Sequence, residues 1–505
     1  MNENRAGDHF RVVVIGAGFG GVGTAIKLKQ SGIEDFAVLE RDSGIGGTWW
    51  ANTYPGCQCD IPSHLYSFSF APNPSWTRTY APQAEIQRYI ADVAEREGIV
   101  PHIRFGCELQ GAEWDEDAGL WRLATSTGAV TAELVVAAPG PLAEPSVPAI
   151  PGLDSFAGDV FHTARWNHDI DLAGRRVAVV GTGASAIQAV PRIQPQVDRL
   201  TLFQRTPPWV MPHGERPITA AERFLYRRVP ALQRLVRSGV YWSREALVPA
   251  LVHRPGLTKV IERIARRHLA AQVADPVLRE RLTPDYTIGC KRILPSNDWY
   301  PAITQPNVDI VFGGLEEVRP DGVVGPDGTL RPADAIVFAT GFHVTDMPLA
   351  KLVRGRDGST LHELWHGTPQ AYRGAAMAGF PNMFWLVGPN TGLGHNSIVF
   401  MIESQLAYVM DALRTMEAVG ANRIEVRPEA QAAYNERLQA RMPGTVWNSG
   451  GCASWYIDEN GANSTIWPDF TWRFRQETRR FDPASYTLAS TPRPAAAEPA
   501  LAPAG

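Results

Sequence analysis

Two stretches of this chain repeat one pattern: RVVVIGAGFGGVGTAIKLKQSGIEDFAVLE from Arg11, and RRVAVVGTGASAIQAVPRIQPQVDRLTLFQR from Arg175. Each is a short β-branched run, a glycine turn, apolar residues at helical spacing and a second short run, which reads as strand, turn, helix, strand. The first turn carries Gly16, Gly18 and Gly21; the second carries Gly181 and Gly183, with Ala186 where a third glycine would stand. Small residues there let the backbone approach a pyrophosphate, which sits at the positive end of the following helix. Such a chain must build two βαβ units with parallel strands, and two nucleotide sites are implied.

The residue that ends the second run separates the two sites. Glu40 lies 24 residues past Gly16, and Arg205 lies 24 past Gly181. A carboxylate at that place accepts hydrogen bonds from a ribose diol, whereas an arginine, helped by the Thr206 hydroxyl, suits a 2′-phosphate. The first site is therefore expected to hold FAD and the second NADPH, with Ser185 and Gln188 on the second helix assigned to the NADPH site.

The fold expected is α/β, two Rossmann-like dinucleotide-binding domains with a helical insertion in the NADP domain. The FAD domain is placed at 1–140 and 345–487, the NADP domain at 152–212 and 289–344, the insertion at 213–288 and a disordered tail at 488–505. Ala138 to Leu153 holds five prolines (Pro139, Pro141, Pro145, Pro148, Pro151) and cannot be a regular element, so the chain crosses between domains there. Alternating residues between Arg104 and Val136 predict a strand meander. From Ala221 to Arg281 there are thirteen Lys/Arg and five Asp/Glu, read as the solvated face of a helical subdomain.

The 505 residues carry 48 basic and 52 acidic side chains, a net charge of -4 that favours no polyanion, so no nucleic-acid partner is expected. Membrane contact is not expected either, since the first apolar run, Val12 to Ile15, is far too short to span. Five cysteines, an odd and sparse set without metal spacing, fit a reducing compartment; the location expected is cytoplasmic, with no metal site. A monomer or homodimer is expected.

Four further stretches resemble the flavin-dependent Baeyer-Villiger monooxygenases, relatives of the flavin-containing monooxygenases, over Arg11 to about Phe481. GGTWWANTYPGCQCD, Gly46 to Asp60, is similar to that family's glycine-tryptophan, tyrosine-proline-glycine, aspartate signature. FAGDVFHTARWN, Phe156 to Asn167, resembles its longer fingerprint through Phe156, Gly158, His162 and Trp166, but has Asn167 where the family usually has proline or aspartate. FATGF, Phe338 to Phe342, resembles the second interdomain crossing, and Gly388 to Gln405 the late flavin-contacting segment. The resemblance implies FAD contacts from Gly47, Thr48, Trp49, Asp60, Tyr66 and Asn396, and NADP contacts from Lys291 and from Trp455, at the place of a mobile-loop tryptophan. His162 is assigned a structural role.

Asp60 and Arg292 are the residues that choose the reaction. By resemblance Arg292 lies over the flavin and Asp60 pairs with it. Physically, a fixed guanidinium keeps a flavin-borne peroxide anionic, able to attack a ketone carbon, and the carboxylate orients the guanidinium. The function implied is insertion of one atom of dioxygen beside a ketone carbonyl, giving an ester or lactone. The alternatives are a heteroatom oxygenase acting on sulfur or nitrogen, and a flavin-binding sensor without turnover. A dithiol reductase fits less well, because Cys57 and Cys59 stand one residue apart. The segments expected to line the ketone pocket are 63–70, 390–397 and 442–448.

Overall fold

The computed structural model describes residues 8–142 and 144–490. Strand β1 (Asp8–Ile15) ends in four buried residues, because it is covered on both faces and so reads as a continuous apolar run rather than an alternating one. The helix Phe19–Gln30 follows, and the strand β2 (Phe36–Leu39) returns parallel to β1 with Val12 opposite Phe36 and Ile15 opposite Leu39. The expected meander is present as three antiparallel strands, β3 (Leu109–Asp115), β4 (Leu120–Thr125) and β5 (Gly128–Ala137). It is not a separate layer, however. Strand β5 also pairs in parallel with β1, Val14 opposite Val136, so one long strand serves both the meander and the nucleotide-binding sheet.

A second, five-stranded sheet is wholly parallel. Its order is Val308–Phe312, Arg199–Gln204, Arg176–Val180, Ala335–Phe338, Asp159–His162. The helix Ala184–Ile193 opens directly from the second glycine turn. Between Arg199–Gln204 and Val308–Phe312 the chain detours through the helices Ala220–Arg228, Pro230–Glu245, Thr258–Gln272 and Pro276–Arg281. The first of these starts on a capping box, in which Thr219 and Glu222 satisfy each other's exposed amides. After the second sheet the chain returns to the first: Met383–Trp385 pairs with β5, and Val353–Arg354 with β3.

The two crossings lie side by side. Ser146 donates its amide to the Gly341 carbonyl at 2.9 Å, the Thr340 hydroxyl donates to the Ser146 carbonyl at 2.5 Å, and His343 donates to the Glu144 carbonyl at 3.0 Å. His162 ends its strand beside this seam, its Nδ1 accepting the Ala164 amide at 3.0 Å. Burial, reinforced by the nearby Arg165, lowers its pKa to about 4, so the ring is neutral and braces a turn. Gly158 in the same fingerprint has no room for a side chain, since a Cβ would stand 2.4 Å from the Asp334 carbonyl oxygen.

Two expectations need correction. The tail does not begin at 488: Leu488 and Ala489 belong to a strand, Tyr486–Ala489, paired antiparallel with Arg423–Val426. The remainder of the tail from 491 lies outside the described residues. The five sparse cysteines, read as fitting a reducing compartment, include a pair, Cys290 and Cys452, that forms a disulfide across 162 positions. Cys57, Cys59 and Cys107 remain free and buried. Replacing Cys452 by serine is expected to cost about 2 to 5 kcal/mol, read as a lower Tm that no longer responds to dithiothreitol. Among the described residues no helix is long and apolar enough to cross a membrane, and no cluster of metal-ligating side chains occurs.

Candidate active site

At both glycine turns the helix begins on glycine, Gly18 and Gly183, with no side chain capping the first amides. Uncapped amides at the positive end of a helix are what a pyrophosphate satisfies. A Cβ on Gly183 would meet nothing within 4 Å, so the space in front of that turn is open. Gly47, at φ 55°, packs edge to edge on the first turn; a Cβ there would stand 2.9 Å from Gly18 Cα. The glycine-tryptophan signature thus lies against the first fingerprint, with Thr48 opening a short helix, Thr48–Ala51, and Trp49 Nε1 donating to the Tyr66 hydroxyl at 3.1 Å.

Glu40 is 4% exposed at the end of β2. Its Oε2 accepts the Ala17 amide at 2.6 Å and its Oε1 the Asp42 amide at 2.9 Å, so the carboxylate braces the turn. Burial outweighs those donors and raises its pKa. Both carboxylate oxygens keep a lone pair for a sugar hydroxyl. In the second site Arg205 is exposed. Lys291, although 86 positions away, is brought close enough to feel its charge: burial first, then Arg205, lower the Lys291 pKa, with Asp285 opposing. Two cations gathered at one place fit a dianionic phosphate. Thr206 lies at the same end, its carbonyl accepting from the Thr182 hydroxyl at 3.1 Å.

The tyrosine-proline-glycine part of the signature faces the other domain. Tyr54 donates its hydroxyl to Gln188 Oε1 at 2.9 Å, the Gln58 amide donates to the same oxygen at 3.2 Å, and Gln188 Nε2 donates to the Gln58 carbonyl at 3.0 Å. The Ser185 hydroxyl stands beside the Tyr54 phenol. At Gly56, φ 82°, a Cβ would lie 2.6 Å from the Gln188 carbonyl oxygen, so the two backbones touch. The Gln188 amide is thereby committed to docking the signature onto the second fingerprint helix.

The signature ends at Asp60, and the structure brings it onto Arg292 across 232 positions. The pair is bidentate: Arg292 Nε donates to Asp60 Oδ2 at 2.5 Å and Nη2 to Oδ1 at 2.7 Å. The remaining Nη1 donates to the Leu393 carbonyl at 3.0 Å, a partner that no spacing in the sequence marks. The guanidinium is thus held on three sides while 27% of the Arg292 side chain stays exposed. Burial opposes ionisation of Asp60, but the guanidinium overrides it and holds the carboxyl below the usual range; Asp60 in turn holds Arg292 charged against its own burial.

The late segment is a tight turn pinned from several sides. Val387 at φ 57° and Asn390 at φ 55° are both left-handed, a strained state for valine, fixed where the Val387 amide donates to Gln405 Oε1 at 2.8 Å. A Cβ on Gly394 would stand 2.9 Å from Trp447 Nε1, so that glycine is required by packing. Asn396 is buried with both amide ends engaged inside the protein: Oδ1 accepts the Ser397 amide at 2.8 Å and Nδ2 donates to Glu245 at 2.6 Å. Trp455, 49% exposed, sits edge-on to Tyr456 at 4.4 Å, next to the Cys290 to Cys452 bridge and so near the Arg292 segment. Cys57 and Cys59 are not bridged; burial pushes the Cys57 thiol up to about 12 and raises Cys59 as well, so neither is a ready thiolate.

The model of the family described as pyridine nucleotide-disulphide oxidoreductase matches residues 13–220. A Baeyer-Villiger monooxygenase of Streptomyces coelicolor (strain ATCC BAA-471 / A3(2) / M145) is 56% identical over 483 residues, covering 95% of this chain and 93% of that protein. The solved structure of oxidized steroid monooxygenase bound to NADP matches with a TM-score of 0.85 at 32% identity, covering 96% of this chain and 100% of that one. That of OTEMO in complex with FAD and NADP matches with a TM-score of 0.85 at 27% identity, over 95% of this chain and 99% of that one. With two uncapped glycine turns and a fixed guanidinium already in place, near-full-length identity above one half settles the family: the chain belongs to the Baeyer-Villiger monooxygenases.

Proposed function

We propose that Arg292, oriented by Asp60, is the catalytic cation with which this FAD- and NADPH-dependent monooxygenase inserts one atom of dioxygen beside a ketone carbonyl, giving an ester or lactone and water. The observation that carries this reading is the bidentate pair at 2.5 and 2.7 Å with its third donor on the Leu393 carbonyl. A guanidinium held on three sides cannot turn away as charge develops, so it costs no reorganisation at the moment of reaction. Bound FAD, once reduced by NADPH, supplies the activation of oxygen.

The chain's own contributions follow from its residues. Gly16, Gly18 and Gly21 open the FAD turn, Glu40 receives the ribose, and Gly47, Thr48, Trp49 and Tyr66 form the wall against that turn. Gly181 and Gly183 open the NADPH turn, with Ser185 at its helix start and Arg205, Thr206 and Lys291 around the 2′-phosphate. Gln188 joins the two domains through Tyr54 and Gln58 rather than by a free side chain, and Asn396 shapes the late turn through its bonds to Ser397 and Glu245. Trp455 is the exposed aromatic placed to cover bound NADP. The FAD domain comprises 1–140 and 345–489, the NADP domain 152–212 and 289–344, and the helical insertion 213–288.

Mass analysis of products from a panel of cyclic, linear and aryl ketones plus one sulfide, with purified protein, NADPH and labelled oxygen, tests the reading. Label in esters or lactones supports it; label in the sulfide product alone overturns it. Arg205→Ala is expected to weaken NADPH by about 1.5 to 3 kcal/mol, roughly 10- to 150-fold, with little change for NADH. Titration with each cofactor checks this, and an equal loss for both would remove Arg205 from the phosphate site.

A further inference from the structure

The inserted helix Pro230–Glu245 ends on a carboxylate that is only 1% exposed. A carboxylate is costly there on two counts: it is buried, and it stands at the negative end of a helix. Four contacts offset that cost. Asn396 Nδ2 donates to Glu245 Oε1 at 2.6 Å, the Thr471 hydroxyl donates to Oε1 at 2.7 Å, the Thr471 amide donates to Oε2 at 3.0 Å, and His395 Nε2 lies 3.5 Å from Oε1. Tyr241, one turn earlier on the same helix, also meets Thr471, with 3.1 Å between the hydroxyls. The donors come from 151 and 226 positions away, so the carboxylate ties the insertion to two separate parts of the FAD-binding half.

His395 and Asn396 follow Leu393 by two and three residues, and Leu393 supplies the carbonyl that accepts the third hydrogen bond of Arg292. Gly394, just after Leu393, has no side chain with which to anchor itself, and a Cβ there would stand 2.9 Å from Trp447 Nε1. The Leu393 carbonyl is therefore fixed from two sides: before it, Gly392 donates its amide to the Thr465 carbonyl at 2.8 Å and accepts the Trp467 amide at 2.9 Å, and after it the next two residues lean on Glu245. We infer that Glu245 is a positioning residue for the oxygen-insertion reaction: through Asn396 and His395 it fixes the Leu393 carbonyl and, with it, the Arg292 guanidinium. A staple serving stability alone could have been apolar, since a buried ionic contact is a poor route to stability. The inference rests on the role given to Arg292 above.

Glu245→Gln, Asn396→Ala and the double variant test it. In the apoproteins, amide hydrogen exchange at 393–397 is expected to rise about tenfold or more while the helix Ala184–Ile193 is unchanged. In the FAD-loaded enzymes, ester formed per NADPH oxidised is expected to fall about fivefold or more, hydrogen peroxide making up the difference, with FAD content of the folded protein within about twofold of the parent. The double variant is expected to be no worse than Glu245→Gln alone, because Asn396 acts on the turn through Glu245. Unchanged exchange at 393–397, or unchanged ester per NADPH with loss only of Tm or FAD content, overturns the inference, as does additivity. Should Glu245→Gln fail to fold, Asn396→Ala gives the same readings from the other end. If the parent enzyme itself makes no ester, it is the reading of Arg292 that fails, and the exchange result still reports whether Glu245 holds the turn.

Discussion

Arg292→Ala is expected to keep FAD and part of the NADPH oxidation but to lose ester formation by about 10² to 10³, on the order of 3 to 4 kcal/mol, the usual loss for one preorganised charge-stabilising donor. The variant removes all three hydrogen bonds described for the guanidinium, two to Asp60 and one to the Leu393 carbonyl. It also takes from Asp60 the charge that most favours its ionised form, leaving burial, which raises its pKa, opposed only by the weaker effects of Arg244 and a backbone hydrogen bond. Arg292→Lys keeps a positive charge but not the planar fork that meets both carboxylate oxygens, so its activity should lie between alanine and the parent. Product yield against NADPH consumed, with bound FAD quantified by its absorbance, checks both variants. A near-normal ester yield from the alanine variant would refute the role.

How far such a site could be read in advance depends on whether its parts carry a local pattern. The two glycine turns do, because strand, turn and helix are contiguous and each has its own period; both appear where the pattern put them. The Glu40 and Arg205 contrast was legible for the same reason, each being the last residue of a run. The Asp60 to Arg292 pair, 232 positions apart, has no such pattern and was reached through resemblance. The Leu393 carbonyl, the Glu245 carboxylate and the Cys290 to Cys452 bridge were not reached at all. A backbone carbonyl has no side-chain identity to read, and a buried glutamate on a basic helical segment looks like one more solvated charge. The bridge joins two cysteines with 162 positions between them, a separation that no loop rule selects. Asn396 and Gln188 are expected at the cofactors, yet their amides face protein partners, a direction set by packing across domains.

The two glycine turns differ in their third small residue, Gly21 in one and Ala186 in the other, and that difference predicts a large effect. Gly21→Ala is expected to cost roughly 3 kcal/mol or more, as overpacking against backbone does, and to abolish FAD retention. A Cβ on Gly21 would stand 1.7 Å from the Gly16 carbonyl oxygen and 2.8 Å from its carbon, neither of which is the movable end of a side chain. Relief would require the helix Phe19–Gln30 to lift away from β1, which would carry off the amides that face the pyrophosphate. The corresponding residue of the second turn is already alanine, Ala186, wholly buried, so there the helix and strand stand far enough apart for a methyl group. Ala186→Gly should therefore cost only about 0.5 to 1 kcal/mol through helix propensity and leave both cofactors bound. Gly183→Ala completes the comparison. With nothing within 4 Å of its would-be Cβ, the apoprotein Tm should hold while NADPH binding weakens, because the methyl group would occupy the open space in front of the turn. Apoprotein Tm and cofactor titrations on the three variants separate a glycine needed for packing from one needed for the ligand; a Gly21→Ala enzyme that retains FAD would show that the first turn can yield in a way its backbone contacts do not suggest.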